Sequence, residues 1–473
     1  MSAHPTTQSF KENAARTIEA GTIPRALKNV RQNFIDKRVK AAEALPEFEA
    51  LRDSAKDIKN HTLAHLDLYI ERYEQKVKDS GGHVHFALDA AEARSIVLEI
   101  CRKAGARTVT KGKSMITEEI ALNAHLEANG IVPVETDLGE YIIQLRGETP
   151  SHIIAPAVHL TKDQIEKDFR RVHTNLDPNR DLTEKRSLLT EARTMLREKF
   201  LVADVGITGA NFLIAETGTS IIVTNEGNGD LTQILPRVHI VVASIEKMVP
   251  TLEDVSQILR VLARSATGQE MSVYTTLSTG PRRPDDVDGP EEYHVVLLDN
   301  GRSAMLGTEF QDMLRCIRCA ACMNHCPVYH QIGGHAYGWI YPGPMGSVLT
   351  PSLIGVDQAG HLPNASTFCG RCESVCPMKI PLPKMMRHWR EREFERNLNP
   401  AIARYGLGFW AFFAKRSWLY GLSTRLAARA MRLMGGKKGS FSSLPGLGAW
   451  TKHRDFAVPS GETFQAQWKK RGR

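Results

Sequence analysis

The stretch CIRCAACMNHCP, residues 316–327, sets four cysteines at C-x2-C-x2-C-x3-C-P spacing. Two-residue gaps let a tight loop wrap a small inorganic core, so Cys316, Cys319 and Cys322 converge on one cubane cluster. The fourth cysteine, Cys326 ahead of Pro327, points away; in two-cluster ferredoxins that position ligates the neighbouring cluster. Zinc sites are built differently, from paired two-ligand knuckles. A second stretch, CGRCESVCP at residues 369–377, repeats the last three cysteines and the proline, with Ser366 standing where its first cysteine would fall. The crossed-ligand rule assigns Cys316, Cys319, Cys322 and Cys376 to one 4Fe–4S cluster and leaves Cys326, Cys369 and Cys372 for a second. Three thiolates suit a 3Fe–4S cluster, or a 4Fe–4S cluster whose last iron takes oxygen, water or a partner's ligand. Ser366 is read either as that ligand or as a turn cap.

The rest of the composition fits this reading. Of eight cysteines only Cys101 stands apart, inside the helical pattern IVLEICRKAG, where a core thiol is expected. The opening residues carry no apolar leader. The longest strongly apolar run, Gly406–Ala414, is about half of the roughly 20 residues a membrane span requires. A cytoplasmic protein is therefore expected, where clustered thiols imply metal rather than disulfides. The net charge of +8 hides an asymmetry: residues 379–473 hold 20 Lys and Arg against 5 Asp and Glu, leaving a mildly acidic body. A basic tail suggests an acidic partner, an anionic membrane surface or nucleic acid. Its Arg404–Met434 section reads as an amphipathic helix with interleaved aromatics, which suits partner docking first and peripheral contact with the inner membrane face second; no motif supports nucleic acid.

Residues 1–80 read as helix, with a break at Pro46 and a stop at Ser80-Gly81-Gly82. From 81 to 300, strand-length apolar runs alternate with helical stretches, predicting an α/β domain with a largely parallel sheet. The expected strands include Tyr141–Leu145 and His152–Ala155, and a helix is expected to be capped by Thr117 and to stop at Asn129-Gly130. Residues 301–390 form the cysteine module and 391–473 the tail. His325, His330 and His335, in the spacer between the motifs, are read as packing residues or as proton carriers or ligands. Lys111-Gly112-Lys113-Ser114 lacks the leading glycine of a phosphate loop; an anion held by Lys111 and Lys113 competes there with a solvated loop. Glycine turns in Gly206–Asp230 are read as turns between strands, with a ligand cleft as the other reading.

The cysteine motifs, together with KGKSMITEEIALNAHLE (111–127), VPVETDLGEYIIQL (132–145) and TGANFLIAETGTSIIVTNEGNGD (208–230), resemble the lactate utilization protein B family over nearly the whole chain. The resemblance implies an α/β LUD domain similar to sugar isomerases and CoA transferases, then an α-helical dicluster ferredoxin-like module and a helical C-terminal tail. It also implies electron transport in the oxidation of L-lactate to pyruvate, beside a cysteine-rich redox subunit and a second LUD-domain subunit. The serine at 366 is shared with that family. Two other readings are an iron–sulfur subunit of a different quinone-linked dehydrogenase, and an enzyme with a CoA- or sugar-phosphate-type site in the α/β domain.

Overall fold

The alternating region of the chain folds into two sheets in the computed structural model, which describes residues 5–112, 114–435, 439–444, 448–451 and 454–471. Its strands are β1 (His83–Ala87), β2 (Thr108–Lys111), β3 (Val132–Glu135), β4 (Val205–Thr208), β5 (Phe212–Ile214), β6 (Thr219–Thr224), β7 (Val238–Ser244), β8 (Met248–Val249), β9 (Tyr274–Ser278) and β10 (Glu292–Leu298). Six of them run parallel in the order β1-β10-β7-β4-β2-β3. The central strand β7, VHIVVAS, is buried at every residue, as expected where helices cover both faces. The other four make a second sheet, β8-β5-β6-β9, in which β5 and β6 are antiparallel and β5 and β8 parallel. A turn at Ile245–Lys247 carries the chain from β7 into β8, and so from one sheet to the other.

Two expected strands are absent. Tyr141–Leu145 lies in a helix, Leu138–Arg146. Asp137 starts it by accepting from the Gly139 and Glu140 N–H groups, and Gly147 ends it in the left-handed conformation. His152–Ala155 is irregular because the His152 ring takes the Ile154 and Ala155 N–H groups, which no neighbouring strand then reaches. The four-residue strands β2 and β4 and the two-residue β8 are additional. The helix expected to begin at Thr117 is capped three residues earlier by Ser114, and Ala121 at φ 50° splits it into Met115–Glu119 and Leu122–Ala128.

N-terminal helices Phe48–Ala64 and Leu66–Asp79 follow the Pro46 break, and the second stops at the Ser80-Gly81-Gly82 turn. One apolar core joins Phe48 and Leu51, Ile258 and Leu262 of helix Leu252–Ala266, Phe212 of β5, and Met323 and Val375 of the cysteine module. By their contacts the residues divide into two compact units, Met1–Glu393 and Phe394–Arg473. In the second, the single helix expected over Arg404–Met434 is interrupted at Lys415-Arg416, giving Ala401–Ala414 and Ser417–Gly435. Phe409, Trp410 and Trp418 on these helices are exposed. Residues 436–438 and 445–447, in the linker expected there, lie outside the described residues. Among the described residues no helix is long and apolar enough to cross a membrane.

Candidate iron–sulfur centre

The two cysteine loops share one backbone design, fifty positions apart. Cys316 closes the 3-10 turn Gln311–Arg315 and Ser366 closes Leu362–Ala365, both in extended conformation. Two residues on, Arg318 and Phe368 have φ of 59° and 54°; two further on, Ala320 and Gly370 have φ of 60° and 75°. A helical turn follows in each, Ala321–Asn324 and Arg371–Ser374, and then the last cysteine with its proline. Alternating left-handed residues coil the chain so that every third side chain points to one centre. For non-glycine residues this geometry costs about 1–2 kcal/mol each, which the buried surroundings must offset.

Two chambers result. Cys316, Cys319, Cys322 and Cys376 line one, whose remaining wall includes Ile317, Met345, Met378, Ile380 and Leu382. Cys326, Cys369, Cys372 and Ser366 line the other, with Tyr337, Phe368 and Met386. Each chamber therefore takes thiols from both loops. The first suits a group that needs four sulfur ligands in a dry, apolar pocket; the second offers three thiols and a hydroxyl. Ser366 Oγ accepts the Phe368 N–H at 3.1 Å, the cap of an ST turn, while it lines the second chamber. In the second chamber Cys369 is exposed, Cys326 half-buried and Cys372 buried; in the first Cys316 is half-buried and Cys319, Cys322 and Cys376 are buried. The second chamber is the one nearer solvent.

Burial, reinforced by neighbouring thiols, raises these cysteines: Cys376 to about 11 and Cys372 to about 12, with Cys319 and Cys322 also pushed up. Backbone N–H groups oppose that rise. Ile380 donates to Cys376 Sγ and Tyr329 to Cys326 Sγ, each at 3.5 Å. Cations reach the first chamber too: Arg38 acts on Cys319, Arg52 and Arg315 on Cys376, and Arg318 and Lys247 on Cys316. A thiolate-bound cluster in this chamber would carry net negative charge, which these groups would offset, favouring an added electron.

Several of those cations also hold the loops. Arg52 donates to the Cys376 carbonyl at 2.7 Å and the Ser374 carbonyl at 3.0 Å, and Arg38 to the Val375 carbonyl at 2.9 Å. Arg318 lies over the Tyr341 ring and pairs with Glu246 at 3.1 Å. Glu246 also faces Arg302 at 3.0 Å, and Arg302 pairs with Glu119 at 2.6 Å. Burial pushes the Glu246 carboxyl up, but Arg302 and Arg318 outweigh it and bring it down to about 2. None of Arg38, Arg52, Glu119, Glu246 or Arg302 stands out in the sequence, because charges in amphipathic helices and turns read as solvated.

The remaining expected residues fall into ordinary roles. The Lys111 ammonium is buried and commits its three donors to Glu135 at 2.6 Å, Asn123 at 2.8 Å and Glu118 at 3.0 Å, which leaves none for an incoming anion. Lys111 is thus neither free for an anion nor in a solvated loop, being buried at the end of β2, and Lys113 lies outside the described residues. His325, His330 and His335 bond to the carbonyls of Ala321, Asn324 and Thr149. Cys101 is a buried core thiol, raised to about 12 by burial. The Gly206–Asp230 turns do border a cavity, at the carboxyl ends of β2, β4 and β7.

A parallel α/β domain that shares its core with a thiol-lined ferredoxin-like module defines the class: an iron–sulfur protein built on a LUD-type domain. Family models agree segment by segment: LUD domain matches residues 70–298, 4Fe-4S dicluster domain 312–380, and Lactate utilisation protein B, C-terminal 371–473. The chain is 44% identical over 469 residues to lactate utilization protein B of Macrococcus caseolyticus, covering 98% of both chains. It is 43% identical over 468 residues to that of Bacillus subtilis, covering 97% of this chain and 95% of the relative. The chain belongs to the lactate utilization protein B family.

Proposed function

We propose that this protein is the electron-carrying subunit of a system that oxidises L-lactate to pyruvate. The observation that carries the reading is the pair of chambers, each drawing thiols from both loops. Cys316, Cys319, Cys322 and Cys376 hold a 4Fe–4S cluster; Cys326, Cys369 and Cys372 hold the second, a 3Fe–4S cluster or a 4Fe–4S cluster whose last iron takes Ser366 Oγ, water or a partner's group. When bound, the clusters supply one-electron storage, matching the two electrons that leave lactate with two protons. The residues of the chain do the rest. Arg38, Arg52, Arg315 and Arg318 offset charge at the inner chamber. Exposed Cys369 marks the edge where electrons cross to or from the cysteine-rich subunit, with the second LUD-domain subunit completing the assembly. The names of the relatives support the lactate pathway, and a cytoplasmic setting with the basic tail on a partner or the inner membrane face fits the composition.

The test is anaerobic purification followed by iron and sulfide analysis and electron paramagnetic resonance, oxidised and reduced. Two interacting paramagnetic centres are expected, with Cys316→Ala abolishing lactate-dependent electron transfer while the fold persists. A reconstituted protein without iron, or lactate oxidation by the assembly unaffected by Cys316→Ala, would sink the reading.

A further inference from the structure

The cavity beyond the parallel sheet has features that an electron carrier does not need. It measures about 260 Å³ and opens outside the carboxyl ends of β2, β4 and β7, where open α/β sheets bind ligands. Gly112 and Ser114 follow β2, Gly209 and Asn211 follow β4, and Lys247 follows β7. The turns are drawn tight: a Cβ on Gly209 would meet Ser114 Oγ at 2.9 Å.

Lys247 is only 6% exposed and lines this cavity. Among the described residues no hydrogen bond or ion pair holds its ammonium. The carboxylate beside it in sequence, Glu246, is engaged by Arg302 and Arg318 instead. Burial and Arg318 disfavour its charged form while Glu246 and Cys316 favour it, so a further negative group in the cavity would stabilise the ammonium. Facing it are apolar side chains, Met115, Ile153 and Leu262 among them. Two carboxylates also line the space, but Asp137 is committed to the Gly139 and Glu140 N–H groups and Glu226 is exposed. A cation that faces Cys316 but makes no hydrogen bond or ion pair among the described residues, set over an apolar wall, suits a singly charged anion with a short carbon chain. A phosphate dianion would call for a denser set of donors.

We propose that this cavity binds a small monocarboxylate, its carboxylate paired with Lys247 and its carbon chain against Met115, Ile153 and Leu262. Ile317, Arg318 and Cys319 wall both this cavity and the first thiol chamber, so an occupant lies against the inner cluster's loop. The choice of L-lactate and pyruvate as probes rests on the lactate-oxidation reading.

The experiment is calorimetry on the anaerobically purified, iron-loaded full chain with L-lactate, pyruvate and inorganic phosphate, paired with electron paramagnetic resonance of the reduced protein. Saturable carboxylate binding is expected, weakened about tenfold or more by Lys247→Met and largely kept by Lys247→Arg. Ser272→Phe, which fills the cavity from a half-buried position, abolishes it as a second variant, and ligand shifts the inner cluster's signal. No saturable carboxylate binding, equal binding by Lys247→Met, or binding of phosphate alone overturns the site. Iron content and the ligand-free spectrum report separately on the electron-carrier reading. A fully loaded protein that binds no carboxylate removes the site alone; carboxylate binding by a protein that takes up no iron removes the carrier alone.

Discussion

Replacing Arg302 with methionine probes the charge network that ties the sheet to the thiol loops. Arg302 is wholly buried and donates to the two Glu119 oxygens at 2.9 and 2.6 Å, with Glu246 at 3.0 Å. Without it, Glu119 keeps only the Tyr341 hydroxyl and the Asn300 amide, and Glu246 keeps Arg318 as its ion-pair partner. Breaking a buried pair from one side costs about 3–5 kcal/mol, and two carboxylates share this guanidinium, so about 5 kcal/mol is expected. For a cooperative unit the size of Met1–Glu393, the unfolding entropy is roughly 0.8 kcal/mol/K, giving a fall in Tm of about 6 °C. The deficit also depends on pH. In the parent protein Glu119 and Glu246 lie below the ordinary carboxyl range: burial pushes both up, but their arginines outweigh it. The stability they contribute is present above the ordinary carboxyl pKa and lost as pH falls through the folded values. In Arg302→Met, burial prevails and both carboxyls rise, so they protonate sooner and the penalty shrinks in acid. Thermal and urea unfolding of both proteins at pH 8 and pH 5 checks this. A Tm loss under about 1 °C, or a deficit equal at both pH values, refutes the reasoning.

Arg52→Met removes the donors to the Cys376 and Ser374 carbonyls; at about 1.5–3 kcal/mol for a charge-assisted bond it should hasten oxygen-dependent bleaching of the inner cluster, followed by visible absorption. Ser366→Cys places a fourth thiol at the second chamber on a backbone already shaped like that at Cys316, and should yield a four-iron signal there after reconstitution, read by electron paramagnetic resonance. His239, bonded to Thr208 Oγ1 at 2.8 Å, is lowered to about 3, mainly by burial. Its neutral form stabilises the fold above the ordinary histidine value, and that contribution is lost as pH falls toward the folded one. Stability should thus decline by a few kcal/mol below about pH 6.5, at roughly 1.4 kcal/mol per unit, and less steeply in His239→Gln, measured by urea midpoints.

What could be read from the sequence follows how local each signal is. Cysteine spacing encodes loop geometry directly, and the loops bring the same thiols together that the spacing groups. The long central strands were legible because each holds an unbroken apolar run, Ile240 to Ala243 in β7 and Val295 to Leu298 in β10. Tyr141–Leu145 misled because Tyr-Ile-Ile is buried in a helix as readily as in a strand; the Asp137 cap and Gly147 stop were the discriminating residues. Strands β2 and β4, four residues each, are too short for periodicity to mark. The charged network around Glu246, and Lys247 beside it, leaves no local trace. Its partners come from segments far apart in the chain, and only the folded arrangement makes them neighbours.

The arginines that brace the second loop impose an order on the protein's making. Arg52 emerges from the ribosome 324 residues before the Cys376 carbonyl it will hold. At about 5–20 residues per second, that is a wait of some tens of seconds. During it Arg52 has Glu49 of its own helix as a partner, and over the last stretch, from Cys326 to Cys369, the first loop's cysteines are out with no thiols from the second. Iron delivery to a complete inner site must therefore come late in translation or after it, once the last cysteine has arrived.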